Sequence, residues 1–117
     1  MDVREIVAQA QRARQVRAYL VELEIIVLTA QVVKLRLYVS PDLFIQVYRN
    51  DRYGTSNFAL IHRGRRLYAR DELAGEWHCH PAADPSQHDT SADGQRSVTL
   101  EEFLNEVERI LAEQGLR

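Results

Sequence analysis

The sequence predicts an α+β fold: a curved antiparallel sheet of about five or six strands in a meander, flanked by N-terminal and C-terminal helices. Apolar residues recur at helical spacing in both terminal segments, and between them apolar and polar residues alternate with the period of a β-strand. Short segments rich in Gly, Pro, Asp and Ser separate the alternating runs, as hairpin turns do. We expect one domain over residues 1–117, since a chain of this length suits a single core.

The two helices are predicted from their apolar stripes. In the first, apolar residues begin at Val3 and recur every three or four positions as far as Leu20. The last helix is expected to begin at Leu100, because Thr99 and Glu102 have the spacing of a capping box. Its apolar stripe should pack on the sheet.

The strands are predicted from alternation and from β-branched and aromatic residues. Arg63-Gly64 has the chemistry of a tight turn, residues 71–75 are expected to break the sheet, and residues 82–97 are expected to form a polar surface loop. The predicted strands cover residues 21–30, 32–39, 43–49, 57–62, 65–70 and 77–80.

Composition excludes several classes of protein. A formal net charge of −2 gives no overall attraction to nucleic acid. No apolar run approaches the ~18 residues of a membrane helix, and the N-terminus has no signal-peptide core. The single cysteine, Cys79, forms no intramolecular disulfide. We therefore expect a cytoplasmic protein with no membrane partner.

Charge is unevenly distributed along the chain. Between residues 49 and 70 there are six arginines and one acid, whereas residues 100–117 carry five glutamates and two arginines. Aromatic residues lie among the arginines, a combination that holds single-stranded nucleic acid in other proteins. Solvated sheet and helix faces produce the same asymmetry without a partner, so both interpretations stay open. The aromatic residues are Tyr48, Tyr53, Phe58 and Tyr68.

Residues 75–89, GEWHCHPAADPSQHD, hold three of the four histidines and the only cysteine and tryptophan. If residues 77–80 are extended, His78 and His80 project from one face and Trp77 and Cys79 from the other. We expect Trp77 and Cys79 to enter the core beneath a helix. This alternation argues against Cys79 as a nucleophile beside the imidazoles.

One hypothesis makes the histidines a general acid and base. Imidazole titrates near neutral pH, and a neighbouring guanidinium can stabilise the charge that develops on a phosphorane. On this hypothesis His78 and His80 are catalytic, Arg63, Arg65 and Arg70 bind phosphate, and RNA is cleaved without a cofactor.

Two alternatives stay open. Imidazoles at i and i+2 of a strand can bridge a metal ion, so His78, His80, His88 and Asp84 are candidate ligands of zinc or another divalent metal in a metal-binding protein or metallohydrolase. Otherwise the histidines bond to Asp84, Asp89 or loop carbonyls and pin the loop. The protein is then a non-catalytic module whose sheet or edge strand receives a partner protein.

The layout resembles the small prokaryotic proteins grouped around the TumE-type toxins of toxin–antitoxin modules. The resemblance is carried by the strand end Trp77, His78, His80 and Pro81, by His88 in the following loop, and by the closing helix T-L-E-E-F-L. It implies an RNA-directed, toxin-like activity that an antitoxin protein neutralises. The sequence leaves open whether the chain is an enzyme, and our expectation for its assembly is a homodimer.

Overall fold

The computed structural model describes residues 2–82 and 91–116. Six strands form one antiparallel sheet in chain order, with a helix before the first strand and a helix after the last. This confirms the predicted α+β meander. The elements are α1 (Val3–Val16), β1 (Glu22–Leu28), β2 (Val32–Ser40), β3 (Leu43–Asn50), β4 (Thr55–His62), β5 (Arg65–Leu73), β6 (Glu76–His80) and α2 (Leu100–Glu113).

The core lies between the sheet and the two helices. Alternate strand residues point toward α1 and α2, and we call this side of the sheet the helix face and the opposite side the far face. On the helix face, Phe58 and Tyr68 contact Phe103 of α2, with ring centroids 5.6 and 5.5 Å apart respectively. Neither helix in the described ranges has the length and apolar composition needed to cross a membrane.

Helix α1 ends at Val16, earlier than its apolar pattern suggested. The Arg17 side chain contacts α2, where it forms an ion pair with Glu108 and donates a hydrogen bond to Asn105 Oδ1 at 3.1 Å. The chain turns there and Leu20 enters the core outside the helix, fully buried, while Val16 is left 64% exposed.

The predicted capping box at the start of α2 is confirmed. Thr99 Oγ1 accepts from the backbone N–H of Glu102 at 3.1 Å, and the Thr99 N–H donates to Glu102 Oε1 at 2.9 Å. Two otherwise unpaired backbone donors are thereby satisfied, and the first turn of α2 is fixed.

Two-residue turns set the register of the last three strands. Arg63 and Gly64 both have positive φ, as predicted for a tight turn, and so do Ala74 and Gly75. The expected break over residues 71–75 was therefore too long, because the turn needs only Ala74 and Gly75 and β5 runs to Leu73. This extension keeps Asp71 inside the strand.

A bulge in β5 changes which side chains share a face. Ile61 pairs with Arg66 and Leu60 pairs with Tyr68, so Leu67 is an additional residue. Arg66 consequently lies on the far face, although Tyr68, two positions later, lies on the helix face.

Candidate functional site

The structure places His78 and His80 together on the far face, as the alternation predicted. Trp77 and Cys79 point the other way into the core and are 7% and 4% exposed. The Cys79 thiol donates to the Tyr68 hydroxyl, with sulfur and oxygen 3.6 Å apart. Cys79 is therefore a packing residue on the face opposite the imidazoles.

His80 lies between a carboxylate and a guanidinium group. Its Nε2 lies 3.0 Å from Asp71 Oδ2, and its Nδ1 lies 3.3 Å from Arg66 Nη2. A guanidinium group can only donate, so Nδ1 accepts and the ring proton sits on Nε2, which donates to Asp71. Asn57 donates to the other oxygen of Asp71. We call Asp71, His80 and Arg66 the histidine site.

This arrangement has the parts of an acid–base catalyst. A carboxylate on one ring nitrogen fixes the tautomer and stabilises the imidazolium that forms when the other nitrogen takes a proton. In the histidine site that other nitrogen is His80 Nδ1, which the Arg66 guanidinium covers. His80 is 5% exposed, whereas Arg66 is exposed, so Arg66 is the group that solvent and ligands reach first.

Cross-strand pairing places the site at one end of two rows of far-face side chains. In the row that ends at His80, the middle residues Ala59 and Ala69 are small and buried. The row of His80 continues through Ala69, Ala59, Gln46 and Arg36, and the row of His78 continues through Asp71, Asn57, Tyr48 and Lys34. The far face thus carries cations and aromatic rings on the same strands that lead to the histidines.

Arg70 does not lie with the histidines, which corrects its predicted role as a phosphate ligand there. It sits on the helix face, 1% exposed, and donates from Nε and Nη2 to the two carboxylate oxygens of Glu106 at 3.1 and 2.7 Å. Its Nη1 donates to the Asp93 carbonyl at 2.7 Å. Burial alone would lower the pKa of Arg70, but the Glu106 carboxylate raises it above the ordinary value.

Arg63 and Arg65 lie at the β4–β5 turn, and both are exposed. Arg63 Nε is 3.4 Å from Asp42 Oδ2, and the backbone of Arg65 pairs with that of His62. The guanidinium that contacts His80 is that of Arg66, between these two arginines and Arg70 in sequence.

Ion pairs account for much of the charge asymmetry in the sequence. Arg49 pairs with Asp51 of the turn that follows β3 at 2.9 Å and with Glu72 of β5 at 2.8 Å. Arg70 pairs with Glu106 of the acidic last helix. Part of the basic segment therefore binds acids of this same chain and is not available to a partner.

The structure gives the metal hypothesis no direct support. Its candidate ligands Asp84 and His88 lie outside the described residues, as does Asp89. Within residues 2–82 and 91–116, no group of three or more His, Cys, Asp and Glu side chains is placed to hold a metal ion. Both ring nitrogens of His80 already have protein neighbours, one of them the cationic Arg66.

Sequence reasoning missed Arg66, Asp71 and Asn57. Asp71 had a signal: once Ala74-Gly75 is read as a two-residue turn, hairpin pairing places Asp71 opposite His78. Pairing through the Arg63-Gly64 turn likewise places Arg66 opposite Ile61, but the bulge at Leu67, for which this sequence offers no recognisable marker, decides that Asp71 and the histidines share the face of Arg66.

Comparison of the chain with known protein families, with curated proteins and with solved structures finds no match. The fold and the site together define an α+β sheet protein with an Asp–His–Arg cluster on the sheet face away from its helices.

Proposed function

We propose that this protein is a cytoplasmic, toxin-like protein that acts on RNA without a metal ion, with the histidine site as its catalytic centre. One observation carries the proposal. His80 has a carboxylate on one ring nitrogen and an exposed guanidinium on the other, on a sheet face that also bears cations and aromatic rings.

The far face has side chains suited to a single strand. Arg36 lies over the Phe44 ring with its guanidinium carbon 4.6 Å from the centroid, and Tyr38 lies beside Phe44 at 5.3 Å between centroids. Lys34 is on the same strand and the same face. Guanidinium and ammonium groups bind phosphates, and rings stack on bases without strong sequence preference. RNA bound there would run toward His80.

Phosphate binding would draw Arg66 away from His80 Nδ1, the nitrogen that acts as the general base. An ionised phosphate oxygen is a stronger partner for Arg66 than a neutral imidazole nitrogen, because the hydrogen bond is then charged on both sides. When Arg66 turns to a phosphate, its hydrogen bond to His80 Nδ1 is broken and Nδ1 lies beside that phosphate. The same guanidinium then offsets the negative charge that develops on the phosphorane.

The reaction that fits these groups is transesterification within RNA. His80 Nδ1 takes the proton of a 2′-hydroxyl, the 2′-oxygen bonds to the adjacent phosphorus, and the bond from phosphorus to the 5′-oxygen breaks. The 5′-oxygen takes a proton, for which His78 on the same face is our candidate donor. The products are a 2′,3′-cyclic phosphate and a 5′-hydroxyl. The resemblance to TumE-type toxins adds an antitoxin protein as the neutralising partner.

The test is RNA cleavage in the presence of a chelator. Purified protein should cleave single-stranded RNA in EDTA and leave 2′,3′-cyclic phosphate ends. His80→Ala should reduce the rate by at least about a hundredfold, since it removes the general base, and Arg66→Ala should reduce it as well. His62→Ala is the matched control, because His62 lies at the β4–β5 turn and should leave the rate unchanged.

Three results would contradict the proposal. Cleavage that survives His80→Ala would remove the catalytic assignment. Cleavage abolished by EDTA and restored by zinc would favour the metal hypothesis. Tight RNA binding with no cleavage by the wild-type protein would leave a non-catalytic module.

A further inference from the structure

Strand β1 is an apolar edge of the sheet. Among the described strands it pairs only with β2, so one side of its backbone faces outward. The opposite edge strand, β6, is only five residues long and is followed by Pro81, which cannot donate to another strand. The exposed apolar residues of the β1 edge, each 40–56% exposed, are Val21, Ile25, Ile26, Val27 and Leu28.

A bulge makes the order of side-chain faces along β1 the same in both directions of the strand. The register shifts between Ile25 and Val27, so Leu23 and Leu28 both lie on the helix face while Glu24 and Val27 both lie on the far face. Opposed residues of an antiparallel pair share a face. A two-fold axis between Ile25 and Ile26 places Leu23 opposite Leu28 of a second copy, and Glu24 opposite its Val27.

We propose that β1 pairs with β1 of a second copy of this chain about this axis, which joins two six-stranded sheets into one. The inference depends on the edge strand and not on the histidine site.

An apolar hollow at the end of β1 is positioned for one residue of the second copy. The hollow, of about 430 Å³, is lined by Val3, Arg4 and Val7 of α1 and by Leu28, Thr29 and Ala30. In the proposed register Val21 of the second copy, just before its β1, reaches the level of Ala30 in the β1–β2 turn, which lines the hollow. Val21 is 56% exposed in the single chain, so this contact would bury it against α1.

Charge on the far face favours the same pairing. Val27 pairs with Lys34 of β2, so Glu24 of the second copy would lie two strand spacings from Lys34, with Val27 between them. By the two-fold symmetry this pair occurs twice. Each Glu24 already lies opposite Arg36 and accepts from the Tyr38 hydroxyl at 3.0 Å in its own chain, and Lys34 of the second copy adds a further cation on the same face.

The experiment is sedimentation equilibrium of the purified chain at micromolar concentrations. The wild-type protein should sediment at twice the mass of one chain. Ile26→Lys should weaken the dimer by at least about tenfold, because it brings two ammonium groups together near the axis. Leu73→Lys is the matched control: Leu73 is also apolar and 55% exposed, but it lies on β5 and should leave the dimer unchanged.

Charge reversal tests the register itself. Glu24→Lys should weaken the dimer, and combining it with Lys34→Glu should restore it. A wild-type monomer at these concentrations would overturn the proposal, and a different protein would then be the candidate partner of the β1 edge. A dimer unaffected by Ile26→Lys would place the interface elsewhere, and failure of the double variant to recover would refute the register.

Discussion

Replacing Arg70 tests the packing of the last helix against the sheet. Arg70→Ala removes a side chain that is 1% exposed and leaves Glu106, only 14% exposed, without its main partner. Breaking a buried pair by removing one member costs about 3–5 kcal/mol, because the remaining charge stays desolvated. Small domains are stable by only about 5–15 kcal/mol, so this variant should lose a large part of its stability.

Urea unfolding followed by circular dichroism measures the effect. With a slope of about 1–3 kcal/mol/M, the midpoint of Arg70→Ala should fall by at least about 1 M. Arg70→Met combined with Glu106→Leu should recover most of the loss, since apolar side chains of similar volume replace both charges. Arg63→Ala is the control, because its pair with Asp42 is 76% and 53% exposed and its loss should leave the midpoint unchanged.

A cost of less than about 1 kcal/mol for Arg70→Ala would contradict this prediction. A double variant as unstable as the single one would contradict it too, since the loss would then not come from the uncompensated charge of Glu106.

Two further predictions concern a positioning group and a helix cap. Asp71→Asn should keep the fold but reduce RNA cleavage by at least about a hundredfold at neutral pH, because an amide donating to Nε2 favours the wrong tautomer of His80. Full activity of this variant in a cleavage assay would show that Asp71 does not position His80. The backbone N–H of Thr99 holds the pKa of Glu102 below its ordinary value of 4.5, so the stabilisation is complete above pH 4.5 and is lost as the pH falls through the lower folded-state pKa. Urea midpoints measured from pH 6 downward should therefore depend less on pH in Glu102→Gln than in the wild type, and parallel curves would contradict this.

The fold was predictable because its strands carry strong local signals. In β2 the residues Val33, Leu35 and Leu37 alternate with polar neighbours, and all three are fully buried on the helix face. At α2, Thr99 and Glu102 marked the start of the helix. Each signal lies within a few residues of the structure that it specifies, so no long-range information was needed.

The candidate site was less predictable because it depends on pairing between strands. The alternation of residues 77–80 gave the shared face of His78 and His80 correctly. Their partners depend on register. A single additional residue, Leu67, brings Arg66 and Asp71 to the same face, and Asp71 reaches the histidines only because β5 runs to Leu73. The sequence showed many arginines without showing that Arg70 is paired with Glu106.

Histidine ring nitrogens can be observed directly by long-range proton–nitrogen NMR, which tests the central claim about His80. The free protein should show the proton of His80 on Nε2 and an unprotonated Nδ1. Adding an oligonucleotide that lacks the reactive 2′-hydroxyl should shift the Nδ1 resonance as Arg66 turns to phosphate, and the shift should disappear in Arg66→Ala. A proton on Nδ1 in the free protein, or a His80 signal that does not respond to the oligonucleotide, would contradict the proposed site.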